Sequence, residues 1–379
     1  MTSHRLPWLG AAIFLLAFLM TQERTEARAG QILQGTVNTA GKSGADLYRD
    51  TCAACHGADG KGKEADAIGF DVPTPDFTDC SFASREPDAD WVSVAHEGGP
   101  VRGFSKHMPA FGGALGEADL YKIVGHIRTF CPVDAWPRGE LNLPRAMFTE
   151  KAYPEDEAVV TMGFGRSPGD ITTEIVYEKR FGVRNQIEIK APFGASKTGG
   201  SWSGGAGDLV LGFKRAVAHS LARGTILAVA GELGLPTGDR AAGLSKGTPV
   251  FESFLAVGKL LPSDSFVQAQ GGVELPFDTA KAGREAFWRV ATGKTFTQNG
   301  PFGRTWTPMI EVLGARELEN SARVEWDLVP QVQVSLNTRQ HVLLGVGWRT
   351  PLTDRRNRSS RLMVYFLWDW FDGGLRAGW

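Results

Sequence analysis

Val324-Glu325-Trp326-Asp327-Leu328-Val329-Pro330-Gln331-Val332-Gln333-Val334-Ser335-Leu336 holds two interleaved patterns. The even positions read Val, Trp, Leu, Pro, Val, Val, Leu, and the odd positions read Glu, Asp, Val, Gln, Gln, Ser. Successive side chains of an extended chain point to opposite faces. The stretch therefore predicts a strand with one apolar and one mostly polar face. An ordinary globular strand has about 5–6 residues, whereas one crossing a bilayer at a tilt needs about 9–11. This run is long enough to cross.

The same alternation recurs on both sides of it. Val183, Asn185, Ile187 and Ile189 alternate with Arg184, Gln186, Glu188 and Lys190. Val267, Ala269, Gly271, Val273 and Leu275 alternate with Phe266, Gln268, Gln270, Gly272 and Glu274. From Arg361 to Phe371 both faces are largely apolar, so that run is weaker. Similar segments near 158–165, 171–181, 183–193, 207–217, 224–235, 249–261, 265–276, 285–296, 305–316, 322–336, 340–350 and 360–371 give about twelve strands. An even number suits a single-chain outer-membrane barrel, with apolar side chains toward lipid and polar ones toward the lumen. The competing reading is a soluble antiparallel sandwich or barrel whose apolar face is its core. Pro330 conflicts with a regular strand because it removes a ladder donor; it marks a bulge or a break. His219 and His341 stand alone and read as loop or lumen side chains.

Upstream the period shifts toward 3.6, and one motif dominates: Cys52-Ala53-Ala54-Cys55-His56. C-x-x-C-H is the attachment signature of c-type haem. Two thiols at this spacing add to the two vinyl groups on one porphyrin edge, and the following imidazole sits at the iron. A zinc site would need a second ligand pair, and Cys80 and Cys131 stand apart from each other. For the sixth iron ligand the candidates are Met108, His107 and His96. Met108 lies in a Gly-rich loop and is followed by Pro109-Ala110-Phe111. A thioether there stabilises ferrous iron and raises the potential. Cys80 and Cys131 are candidates for a disulfide, since leftover cysteines pair in an oxidising compartment.

Residues 40–133 resemble a class I cytochrome c domain. The resemblance is carried by Gly44-Ala45-Asp46-Leu47-Tyr48 before the motif and Gly57-Ala58-Asp59-Gly60-Lys61-Gly62 after it. Pro75-Asp76-Phe77-Thr78, Met108-Pro109-Ala110-Phe111 and a helix from Leu115 to Phe130 follow in order. It implies that the first and last helices cross, with Tyr48 and Tyr121 or Phe130 near the contact. It also implies that a backbone carbonyl near Pro73 or Pro75 fixes the His56 tautomer. The strand region resembles outer-membrane barrels of transporter-like proteins, such as those linked to phenol-degradation operons. That likeness rests on the strand pattern, the aromatic last strand and Trp379, and it implies no substrate.

These readings give a multidomain α + β chain: a small all-α cytochrome c domain, then an antiparallel transmembrane β-barrel. Residues 1–29 read as a signal peptide, with His4 and Arg5, an apolar run from Leu9 to Met20, and Ala27-Arg28-Ala29 as the cleavage site. Residues 134–157, with Pro137, Pro144, Pro154 and mixed charge, read as a linker; residues 158–379 read as the barrel. Lys plus Arg number 41 and Asp plus Glu 42, which leaves no basic footprint for nucleic acid. Gly at 47 and Trp at 11 are in excess, as strands and tight turns require. No catalytic constellation stands out. The expected function is an outer-membrane-anchored monohaem cytochrome carrying one electron at a time. Its cofactor would be one covalent haem c and its partners a redox protein, another cytochrome, and the lipid bilayer. The cytochrome domain would lie in the periplasm, hung on the linker or capping one mouth of the barrel. Alternatives are a channel or transporter with a redox-sensing domain, and a soluble periplasmic oxidoreductase whose β domain binds substrate.

Overall fold

The computed structural model describes residues 38–369, apart from 71, 103, 133–134, 166–169, 199–200, 299–302, 320–321 and 337–340. The signal-peptide reading and Trp379 fall outside the described residues. No helix among them is long and apolar enough to cross a membrane.

The first part is helical. Its helices are α1 (Gly44–Thr51), α2 (Ala53–His56), α3 (Ala65–Ile68), α4 (Cys80–Ala83), α5 (Asp88–Glu97) and α6 (Glu117–Ile127). Ser43 and Asp46 form a reciprocal capping box that starts α1. Leu47 and Tyr48 of α1, Val92 of α5, and Leu120, Ile123 and Val124 of α6 make one core. Helices α1 and α6 pack closely because position 44 is glycine; a Cβ there would strike the Lys122 carbonyl. Tyr48 meets Phe130 at 5.3 Å between ring centroids, whereas Tyr121 is exposed. The contact between first and last helix thus uses Phe130.

The second part is a closed antiparallel barrel. Strands β1 (Glu157–Gly165), β2 (Ile171–Phe181), β3 (Asn185–Thr198), β5 (Leu209–Ser220), β6 (Thr225–Leu235) and β7 (Val250–Leu261) pair in sequence. They are followed by β8 (Ser265–Pro276), β9 (Glu285–Lys294), β11 (Thr305–Glu317), β12 (Glu325–Ser335), β13 (Val342–Pro351) and β14 (Arg361–Asp369). β14 returns to β1 from Glu157↔Asp369 to Gly165↔Arg361, so the ring closes at twelve strands and has no edge. Two short strands lie off the ring: β4 (Ser201–Ala206) folds back on β3, and β10 (Phe296–Thr297) pairs with β11. All twelve segments expected from alternation are ring strands; β4 was not anticipated.

The burial pattern identifies what each face meets. In β3, Gln186 and Glu188 are buried while Ile187 and Ile189 are exposed. In β12, Asp327, Gln331, Gln333 and Ser335 point inward and the apolar even positions point out. A soluble barrel would bury the apolar set. This one buries the polar set and shows Phe213, Leu255, Ile310 and Phe366 to the outside, the arrangement lipid requires. Pro330 is outward-facing and continues the pairing with β11 through Ile310. Pairing with β13 lapses at Val329 and Pro330 and resumes in the same register, so Pro330 marks a gap in one ladder and not a bulge.

Where a linker over 134–157 is expected, the described residues 135–157 instead pack inside the barrel. No described residue from 135 to 157 is exposed. The segment enters the lumen, reaches Phe148–Glu150, and returns to begin β1. Its backbone is held by inward polar side chains from around the ring. Arg145 N donates to Gln333 (3.0 Å), Phe148 N to Glu311 (3.1 Å), Glu150 N to Gln270 (3.1 Å) and Glu155 N to Gln186 (2.7 Å). Lys190 joins Glu150, Glu188 and Glu232 at 3.0–3.1 Å. Buried charges persist when paired and hydrogen-bonded, and here the plug supplies the partners. Its apolar residues account for the weak alternation of the last strand. Met147 packs beside Val159, Tyr365 and Leu367, so β14 carries apolar side chains inward as well as outward.

Candidate functional site

The C-x-x-C-H motif sits where α1 meets α2. Cys52 ends the first helix and precedes the second, which closes at His56. Gly57, at φ 74°, then turns the chain away in a conformation that favours glycine. Tyr48 Oη donates to the Gly57 carbonyl (2.7 Å), tying the buried face of α1 to the end of the motif. Thr74 Oγ1 donates to the Cys55 carbonyl (3.1 Å). The His56 ring stacks on Phe77 at 4.7 Å. Burial pulls its pKa down to about 4, so the imidazole is neutral near pH 7 and its lone pair is available. Nδ1 of His56 makes no hydrogen bond among the described residues. The carbonyl expected near Pro73 or Pro75 is therefore not its partner here.

Cys52, Cys55 and His56 line one cavity of about 420 Å³. Met108 lines the same cavity; its amide donates to Ser105 O, and its carbonyl accepts from Gly99 N at 3.1 Å. A side chain at position 99 would strike Ser105 O, so glycine there lets the loop close. The two histidine alternatives differ. His107 also lines the cavity, with its ring stacked on Phe70 at 4.3 Å. His96 does not line it; its Nδ1 faces Glu97 at 2.7 Å.

The wall is largely apolar, built from Phe70, Phe77, Phe82, Trp91 and Phe111. Arg128 lies over the Trp91 ring at 4.6 Å and holds it from behind. Arg102 is a buried cation on the wall, paired with Asp90 at 2.7 Å. Cys80 and Cys131 are bonded to each other, with Cα atoms 5.4 Å apart. Cys52 and Cys55 are unbridged. Two thiols three residues apart, a neutral imidazole and a thioether on one apolar cavity are a donor set that fits a c-type haem.

This domain is seated on the barrel. Arg85, just after α4, pairs with Asp156 of the returning plug at 2.5 Å. Asp88 pairs with Arg138 (2.7 Å) and Arg128 (2.8 Å), and its amide donates to Glu140. Gly139 N donates to Ser84 O at 2.8 Å. Tyr153 Oη faces the carbonyls of Arg85 and Pro137 at 3.3 Å. These contacts gather at the barrel end where β1 begins and β14 stops.

Sequence reasoning missed three features here. His341 was read as an isolated loop or lumen side chain; it lines the cavity with His56 and Met108. His219 is at the same end, with Nε2 3.3 Å from Ala135 O. The plug was missed as well. A usable signal for it was the number of inward carboxylates and lysines that strand pairing alone leaves without partners. Glu150, Glu178 and Glu188 form a group of metal-ligand geometry. They stand among Lys190 and Arg145, which already supply the opposing charge.

Residues 39–127 match the family model described as cytochrome C oxidase, cbb3-type, subunit III. A search of curated proteins found no match. Among solved structures, an outer-membrane channel from Pseudomonas putida F1 is 12% identical, covers 60% of this chain and 99% of its own, and has a TM-score of 0.43. The KdgM porin is 10% identical, with 56% and 99% covered and a TM-score of 0.39. The NanC porin is 7% identical, with 56% and 98% covered and a TM-score of 0.40. The chain thus joins a cytochrome c domain to a closed twelve-strand antiparallel barrel with an apolar outer face. The cytochrome domain implies covalently bound haem c and suggests electron transfer.

Proposed function

We propose that the protein is an outer-membrane-anchored monohaem cytochrome that carries single electrons at the periplasmic face of its barrel. One observation carries this reading: Cys52, Cys55, His56 and Met108 meet on one apolar cavity, in a domain fixed to one end of the barrel. Haem c supplies a reversible one-electron change at its iron. Cys52 and Cys55 would hold it covalently, and His56 and Met108 would supply ligands to its iron. With both ligands from the protein, the domain would relay electrons and would not bind a substrate at the metal. A single haem at one mouth does not bridge about 30 Å of hydrocarbon. A second redox protein is therefore its partner.

Loop lengths support one orientation. On the cytochrome side, β2–β3, β5–β6 and β7–β8 join through three or four residues, while β12–β13 takes residues 336–341 and β9–β11 residues 295–304. On the far side, β6–β7 needs residues 236–249 and β13–β14 residues 352–360. Outer-membrane barrels keep short turns in the periplasm and longer loops outside. This supports a periplasmic cytochrome domain.

A reading as a redox-gated channel has one observation in its favour: Arg85 of the cytochrome domain grips Asp156 of the plug. The test separates the two. Haem content, redox titration and protease treatment of intact cells should give one haem per chain, a reversible one-electron wave and a haem domain shielded from external protease. Conductance that switches with reduction would favour the gated channel. A chain without haem, or a haem domain cleaved from outside, would overturn the carrier reading.

A further inference from the structure

Among the described residues, the wall of the cavity is built from residues 51–127, with one contributor from outside that range: His341. It stands immediately before β13, in the connection from β12, and is 7% exposed. Its backbone is fixed at the barrel rim, where its carbonyl accepts from Asp369 N at 2.8 Å, at the end of β14. At the start of β13, Val342 O accepts from Leu336 N at 2.8 Å. A barrel side chain thus reaches the cavity from a rigid mount.

We propose that His341 donates a hydrogen bond to a haem propionate, so that the barrel completes the haem site. This rests on the reading of the cavity as a haem c site. In a bound haem, thioethers from Cys52 and Cys55 would take the vinyl edge, and His56 and Met108 would ligate the iron. What is left is the edge bearing two carboxylates, which must find donors in an otherwise apolar chamber. The wall brings carboxylates of its own, Glu86 and Asp90. Its buried guanidinium, Arg102, is engaged by Asp90 through both Nε and Nη2. His107 of the cytochrome segment is stacked on Phe70, and His341 adds an N–H donor from outside that segment. The consequence is that the domain's potential is set partly by whether it is seated on the barrel.

The test uses the full-length, haem-loaded protein in detergent. Wild type, H341A, H341F and H341Q are compared by redox titration, visible absorption and resonance Raman spectra of the propionate bending modes. Removing a donor leaves more negative charge on the propionate and favours ferric iron. H341A and H341F should therefore lower the midpoint, by about a tenfold change in the oxidised-to-reduced ratio at fixed potential, or about 59 mV for one electron. The propionate modes should shift, the thioether-to-iron band should persist, and H341Q should restore much of the midpoint. If H341A fails to form the barrel, H341F fills the same volume and carries the same prediction. Midpoint and propionate modes unchanged in both variants would overturn the proposal while leaving the haem reading intact. A changed axial-ligand spectrum in the variants would also overturn it, since His341 would then act at the iron. A wild-type chain with no haem would overturn the cavity reading itself.

Discussion

The cytochrome domain and the barrel bury opposite kinds of side chain. In the first, Leu47, Val92, Leu120 and Ile123 are inside, and Arg102 is the buried charge among the described residues of the domain. In the second, Glu178, Gln186, Glu311 and Asp327 are inside, while Ile187, Leu255 and Ile310 face outward. One chain obeys both rules because its two parts meet different solvents. Water rewards burial of apolar surface, whereas lipid removes that drive and demands that polar groups be satisfied within the protein. The plug is the link between them. It satisfies the barrel's interior and also carries the ion pairs on which the cytochrome domain sits.

The largest expected effect lies in the first region alone. Replacing Cys52 and Cys55 by Ala should abolish covalent haem, read as loss of the haem-stained band. The barrel should survive, shown by retained heat-dependent migration of the polypeptide. Collapse of both parts together would mean that the barrel depends on the haem domain.

The disulfide comes next. Cys80 and Cys131 close a loop of about fifty residues, for which chain entropy gives about 4 kcal/mol. C80S with C131S should lower the denaturant midpoint of the haem domain and leave the barrel transition in place.

The third prediction sets the two burial rules against each other. Leu255 is 53% exposed at mid-strand of β7. On a water-facing surface, L255R would be nearly neutral. Facing lipid it should cost about 2–4 kcal/mol, read as a lowered refolding midpoint in lipid vesicles.

Much of this was legible in the sequence, because both solvents leave periodic traces. Gln186-Ile187-Glu188-Ile189 alternates with period 2, and Cys52 to His56 has a spacing that chemistry dictates. The plug was not legible, because an irregular segment inside a lumen has no period of its own. Leu143 packs against Phe266 and Met309 as any core leucine would. Arg145 pairs with Glu157 as any surface arginine might. Only the ring of strands makes these residues interior. His341 was illegible for the same reason, since its role depends on where two separately folded parts touch.

Glu311 tests the plug. It is fully buried and accepts from Thr149 Oγ1 (2.6 Å), Phe148 N and Gln331 (2.9 Å). E311A leaves those donors without their acceptor, at about 1–3 kcal/mol. Solute leak through reconstituted barrels should rise, with the haem spectrum unchanged.

The smallest effect concerns the start of α1. Hydrogen bonds from Ser43 and the nearby Arg49 hold Asp46 down at about 2, from a usual 3.8. The capping box is thus fully present above pH 3.8 and is lost as pH falls through about 2. Far-ultraviolet dichroism should show helical signal falling in that window before strand signal does.

The central claim is that one chain carries both a cytochrome c domain and a lipid-facing closed barrel on which it is seated. Membrane fractionation with haem staining, run unheated and boiled on a denaturing gel, tests it most directly. The account predicts a full-length haem-staining band in the outer-membrane fraction whose migration shifts on boiling. A full-length haem-staining band in the soluble fraction, with no heat shift, would contradict it.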